Sequence, residues 1–223
     1  MLASPLLVGA LATGPAWVHL PLAVFWFVGY FAFFATSLWL KAGRRSRWWP
    51  PVRAYGLASA VLGAGLLLAQ PELVRWVPAF VLPLGVGLWA AANRQDRELL
   101  AGLTTVTASG LITLVAYDAG PGEDWRRALV LALVQFGYFA GTVFYVKSVI
   151  RERDNERFAR VSVGVHAAAT AAAAVWSWWL GAVFALLTLR AALVPRMNLS
   201  PKQVGIGEVV ATLVVALVSL AVT

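Results

Sequence analysis

Lys147, Arg151 and Asp154 follow Phe144 in the most charged stretch of the chain, KSVIRERDNERFAR at 147–160. On a continuous helix these four side chains share one stripe. Two cations and a carboxylate beneath an aromatic ring are the groups of an anion site, since Arg forks and Lys point charges both hold phosphate. A comparable column, Tyr30, Phe34, Ser37, Lys41 and Arg45, stands earlier in the chain. Facing each other, the two columns would set Lys41, Lys147 and Arg151 as a cationic floor below Tyr30, Phe34, Tyr138 and Phe144. Such a site suits an amphiphile with an anionic head, an isoprenoid diphosphate or a phospholipid. The competing reading is that these cations mark membrane topology, with lysine stems snorkelling to the interface. Glu152, Arg153, Glu156 and Arg157 alternate in sign and read as a solvated, mutually paired face.

Glu208 and Arg190 are the second constellation. Glu208 follows Ser200-Pro201, a helix start, by about two turns, or ~10 Å along the axis. A carboxylate inside an apolar span is a functional candidate by default. The alternative places it at the interface, paired with Lys202 or Arg190; by depth Arg190 is the expected partner. His166 is expected to make one helix–helix hydrogen bond. The hydroxyls of Thr104, Thr105, Thr107, Ser109 and Thr113 either join helices or, as the commoner role, bond their own helix carbonyls. The sequence holds no phosphate-binding glycine loop, nucleophile–base pair or metal-ligand cluster, so no metal and no cofactor are expected.

The elements that must position these residues follow from composition. Of 223 residues 61% are hydrophobic and 13% charged, against about 25% charged in soluble domains. An all-α, polytopic membrane protein is implied, a single domain over 1–223. Uncharged runs give spans at about 2–14, 20–40, 52–70, 74–92, 99–117, 126–146, 161–177, 179–195 and 203–222; a crossing helix needs ~20 residues, so the first is too short to cross alone. The seventh and eighth divide one apolar stretch around Trp176-Ser177-Trp178-Trp179.

Nine spans put the loops after spans 2, 4, 6 and 8 on one side, with 15 of the 18 basic residues, Arg97 among them. Arg75, Arg126 and Arg127 remain on the other side with Glu72, Asp118, Glu123 and Asp124. The positive-inside rule then predicts cytoplasmic basic loops, an internal amino end and an external carboxyl end. The formal charge of +8 is thereby assigned to lipid headgroups, and no nucleic-acid partner is expected. Gly29-Tyr30-Phe31-Ala32 and Gly137-Tyr138-Phe139-Ala140 open corresponding spans that each lead to a lysine. This predicts two four-helix parallel repeats, about 1–98 and 99–200, plus an extra helix at 201–223; sites tend to lie between such repeats.

The runs YFAFFATSLWLK, VAYDAG, YFAGTVFYVKSVIRERDN, LRAALVPR and SPKQVGIGE resemble the YwiC-like family of bacterial membrane proteins over nearly the whole chain. The resemblance implies an inner-membrane protein and no settled function. Members of that family usually carry a Gln-His-Gly-Ala-Trp stretch just before the position of Met1, so span 1 here is expected to be shortened. More distantly, the arrangement is similar to the UbiA prenyltransferase superfamily, with nine helices, two four-helix repeats and functional loops after helices 2 and 6. There, paired aspartate motifs hold magnesium and an isoprenyl diphosphate. This chain has no acidic residue before Glu72, and Glu152, Asp154 and Glu156 have the wrong spacing for one helical face, so magnesium chemistry is not expected.

Three functions stay open at this point. The first is a UbiA-like protein that binds a lipid or an isoprenoid diphosphate, or a divergent prenyltransferase, with membrane lipids and an isoprenoid or quinone-like ligand as partners. The second is a transporter of a small solute or lipid that uses Glu208 and Arg190. The third is an accessory subunit that offers a flat face of small residues, such as the alanines of span 7.

Overall fold

A computed structural model describes residues 1–95, 98–197 and 199–223; Arg97 lies outside them. Every regular element among the described residues is helical: α1 (Ser4–Thr13), α2 (His19–Lys41), α3 (Trp49–Ala69), α4 (Val77–Ala92), α5 (Leu99–Asp118), α6 (Trp125–Ile150), α7 (Glu156–Trp176), α8 (Trp178–Leu193) and α9 (Pro201–Val222). Among the described residues, eight candidate membrane spans are long and apolar enough to cross a bilayer, and the protein is a polytopic membrane protein. The exception is α1, whose ten residues reach about 15 Å, half the ~30 Å hydrocarbon core. Two compact units emerge, 2–128 and 129–223, the second joined by Met1.

Helix boundaries have local causes. α2 runs uninterrupted until Gly43 at φ 69°. There the Arg44 amide bonds the Trp39 carbonyl at 2.9 Å, a Schellman closure that needs a left-handed residue at Gly43. α3 opens on Pro50-Pro51, where the missing amides would be unbonded in any case. α9 opens on a full capping box: Ser200 accepts from the Gln203 amide, and the Gln203 side chain accepts from the Ser200 amide at 2.9 Å.

In the unit 2–128, α1 packs on α5, α2 on α3 and α4, and α4 on α5. α1 packs tightly on α5 at Gly9, which sits against the Thr113 carbonyl. Leu6, Leu22, Leu66, Leu73 and Ile112 form the buried cluster, with Trp26 and Phe80 packed against it. At the end of α5, the VAYDAG segment is stitched to its surroundings. His19 accepts from the Ala16 amide at Nδ1 (2.8 Å), so its other nitrogen, Nε2, carries the proton given to the Ala116 carbonyl at 2.8 Å. Thr13 Oγ1 accepts from the Gly122 amide at 2.6 Å. Asp118 takes both ends of the Arg75 fork and the Trp76 indole N–H, the last at 2.8 Å.

Asp118→Ala is expected to cost about 1–2 kcal/mol. Trp76 is left with an unsatisfied donor, while Arg75, whose side chain is 53% exposed, regains water and adds little. Thermal unfolding followed by tryptophan fluorescence checks this; an unchanged midpoint would show that the clamp carries no stability.

In the unit from 129, α7 and α8 form an antiparallel hairpin. Ser177 alone separates them, at φ −153° and ψ 133°, so residues 161–195 form two spans rather than one tilted helix. Gly181 lets α8 close on Ala174, and Thr170 and Thr188 share a hydrogen bond of 2.8 Å. The stripe expected for Phe144, Lys147, Arg151 and Asp154 is broken. α6 stops at Ile150, and Asn155 caps α7 by accepting from the Phe158 amide at 3.0 Å. Asp154 and Asn155, turn formers that compete with helix backbone, redirect the chain, so Arg151 and Asp154 lie in a turn. The alternating face of Glu152, Arg153, Glu156 and Arg157 is divided for the same reason. The column from Tyr30 to Arg45 loses its last member, because Arg45 lies beyond the end of α2 with extended backbone, at φ −65° and ψ 136°.

Candidate functional site

Three helices of the unit from 129 converge on Glu208. α6 presents Tyr138, Thr142 and Tyr145 at steps of four and three, which share one helical face; α8 presents Arg190; α9 presents Glu208 and, one turn on, Thr212. Glu208 Oε2 accepts from Thr142 Oγ1 at 2.8 Å and lies 3.1 Å from Tyr138 Oη. Thr212 donates to the Glu208 carbonyl at 2.7 Å. Tyr138 also reaches that carbonyl and Thr212 Oγ1, at 3.1 and 2.9 Å. A phenol has one proton to offer, so these contacts compete for it, and Thr142 is the dedicated donor to the carboxylate.

Arg190 completes the cluster. Its Nη1 lies 2.6 Å from Glu208 Oε1, with side chains only 19% and 15% exposed. The contact is an ion pair out of line for a hydrogen bond, because Oε1 has no hydrogen-bond partner. The guanidinium carbon lies 4.2 Å from the centre of the Tyr145 ring, a cation–π contact. Arg190 Nε and Nη2 are buried and donate to nothing among the described residues. Buried donors normally find partners, so a guanidinium with two unbonded nitrogens has donors to spare for a further acceptor.

His166 borders this cluster but does not bridge helices. Its Nδ1 donates to the Ser162 carbonyl, 2.8 Å away on its own helix. Its ring packs on α6 instead: a Cβ at Gly141 would stand 2.9 Å from Nε2. The glycine makes room for the ring and offers it no side-chain acceptor. Beyond Gly141, the same face of α6 leads into an apolar concavity of about 220 Å³ lined by Val134, Gly137, Ala169, Ala173, Trp176 and Phe184.

The other expected site residues are placed as follows. Arg151 and Asp154 line an open concavity of about 750 Å³ with Glu152, Arg153, Asn155 and Pro201. Two arginines face two carboxylates there, so the charges cancel. Lys147 Nζ lies 5.8 Å from the centre of the Phe158 ring, which stacks on Phe144. In the unit 2–128, Tyr30 and Phe34 stack on an exposed face, and Ser37 bonds the Phe33 carbonyl at 2.8 Å. Lys41 ends α2. Tyr138, expected only as a pocket aromatic, is a hydrogen-bonding partner of Glu208. Thr142, Tyr145 and Thr212 were not anticipated; their signal is the helical spacing of 138, 142 and 145 and of 208 and 212.

Comparison with known proteins places the chain. The YwiC-like protein family model matches residues 1–117. A *Bacillus subtilis* protein described as uncharacterized protein YwiC is 30% identical over 214 residues, covering 94% of this chain and 88% of its own length. An uncharacterized *Haemophilus influenzae* protein is 25% identical over 211 residues, covering 94% of this chain and 89% of its own. No solved structure matches. With the family model spanning more than half of the chain and the *Bacillus* relative nearly all of it, the protein belongs to the YwiC-like family.

Proposed function

We propose that this protein binds an anionic amphiphile, an isoprenoid phosphate or an acidic lipid, with the head on Arg190 and the hydrocarbon chain in the apolar concavity between α6, α7 and α8. The observation that carries the reading is the pair of buried Arg190 nitrogens, Nε and Nη2, that donate to nothing among the described residues. Depth supports it. Arg190 lies three residues from the end of α8 and Glu208 seven residues into α9, about 5 and 10 Å along their axes. That is the level of a headgroup carried slightly into the hydrocarbon. The face of α6 that holds Gly137, Gly141 and Tyr145 links the concavity to the charge, as an amphiphile requires.

The positive-inside bias supports a cytoplasmic location for the basic loops, in the inner membrane of a bacterium. A UbiA-like arrangement of two four-helix repeats fits the same reading. The proposal is for binding; the paired aspartates that would support prenyl transfer are absent from the sequence. Transport is the second reading, favoured by a charged pair that can open inside an apolar bundle.

Native mass spectrometry of the purified protein tests the proposal. Wild type is expected to retain an anionic lipid. Arg190→Met is expected to lower its occupancy by about tenfold or more, the equivalent of one charged hydrogen bond. Ala173→Trp, which fills the concavity, is expected to weaken binding while leaving Arg190 in place. Equal occupancy in all three proteins would sink the proposal. Uptake of the same lipid into vesicles by wild type but not by Arg190→Met would favour transport.

A further inference from the structure

We propose that Glu208 is the ligand's built-in competitor: an incoming anion displaces it from Arg190, and the released carboxylate takes up one proton. This deepens the proposed function and rests on it. Among the described residues Arg190 has one buried anionic partner, Glu208, and its two unbonded nitrogens belong to the same guanidinium. The ion pair is out of hydrogen-bond alignment, so an anion that accepts from Nε and Nη2 would give Arg190 hydrogen bonds that Glu208 does not. Glu208 is already anchored through Oε2 by Thr142 and Tyr138, and it keeps those bonds when Arg190 leaves.

A carboxylate left without its cation among apolar helices is costly and neutralises. The balance is closed. Before binding, Arg190⁺ and Glu208⁻ sum to zero. After binding, Arg190⁺ holds the anion, and Glu208 carries a proton drawn from water on its free Oε1, again summing to zero. Among the described residues, the other titratable groups within electrostatic reach of Glu208 are Tyr138 and Tyr145 from α6, His166 from α7 and the amino group of Met1. Lys202 stands two turns back on α9.

The test uses the full chain in nanodiscs of phosphatidylcholine, with decanesulfonate as a permanently ionised amphiphile and inorganic sulfate as the matching free anion. Calorimetry in two buffers of different ionisation enthalpy counts the protons. Decanesulfonate is expected to bind with uptake of one proton, its Kd rising about tenfold per pH unit where that uptake is complete. Glu208→Gln keeps an acceptor for Thr142 and Tyr138; it is expected to bind more tightly and with no pH dependence.

Each outcome has a consequence. Arg190-dependent binding with no proton uptake overturns this inference and leaves the proposed function standing. So does pH dependence that survives in Glu208→Gln, which would assign it to His166 or another neighbour. Weaker binding by Glu208→Gln overturns it too, by making Glu208 part of the ligand's support. Decanesulfonate binding that is unchanged in Arg190→Met, or absent at every pH, removes the inference and the proposed function together. Sulfate binding as tight as decanesulfonate keeps the exchange but overturns the amphiphile as its ligand.

Discussion

Arg190→Met is expected to destabilise the protein by about 3 kcal/mol, and Arg190→Met with Glu208→Met to recover most of that loss. Removing one member of a buried ion pair strands the other and typically costs ~3–5 kcal/mol, whereas replacing both by apolar groups of similar volume is often neutral or stabilising. The lower end applies because Glu208 can neutralise and keeps Thr142 and Tyr138 as donors. Unfolding in detergent, run as a double-mutant cycle, measures the coupling directly. A cycle energy near zero would show that water already screens the pair, as at an exposed site. A double variant that is stable yet retains no lipid would separate the purpose of the pair from the stability of the fold.

The second large effect is expected at Gly9. A methyl group there would overlap the backbone carbonyl of Thr113 and lie 2.9 Å from the Ala116 side chain. A backbone oxygen inside α5 cannot rotate away, so α1 must lift off its neighbour. The expected loss is about 2–4 kcal/mol, at or above the usual range for overpacking a close contact. Gly29→Ala is the control. Its added carbon meets nothing within 4 Å, and alanine is the better helix former by ~1 kcal/mol, so no loss is expected. Equal midpoints for the two variants would mean that α1 does not hold α5 closely.

Much of this architecture was legible in the sequence because a bilayer forces long apolar runs and strands charges between them. The break at Ser177 could be read from charge balance: one long helix would have moved Arg190, Arg196 and Lys202 to the other side. The pairing of Arg190 with Glu208 was legible for a related reason, since two opposite charges at similar depth in apolar helices have few other partners. The column from Phe144 to Asp154 misled because spacing assumes an unbroken helix. Asn155 offers its own side chain as a cap, a local competition that spacing does not register. Thr142 and Thr212 stayed hidden because threonine hydroxyls in membrane helices usually serve their own backbone, and Tyr145 because an aromatic ring in a span reads first as apolar packing; only the fold shows which of them faces a charge. The contact at Gly9 was equally invisible, since nothing in its neighbours announces a carbonyl from residue 113.

The one-residue joint at Ser177 has a mechanical consequence. Two helices that interlock at Gly181 and Ala174 and share the Thr170–Thr188 bond, with no spare chain between them, cannot slide past one another. They act as one lever. Arg190 rides near the free end of that lever, and Glu208 lies beyond the connection that leads into α9. Any movement that parts the two charges is therefore not taken up inside the hairpin; it carries α7 and α8 together relative to α9. The cation belongs to the hairpin and the carboxylate to the helix that follows it.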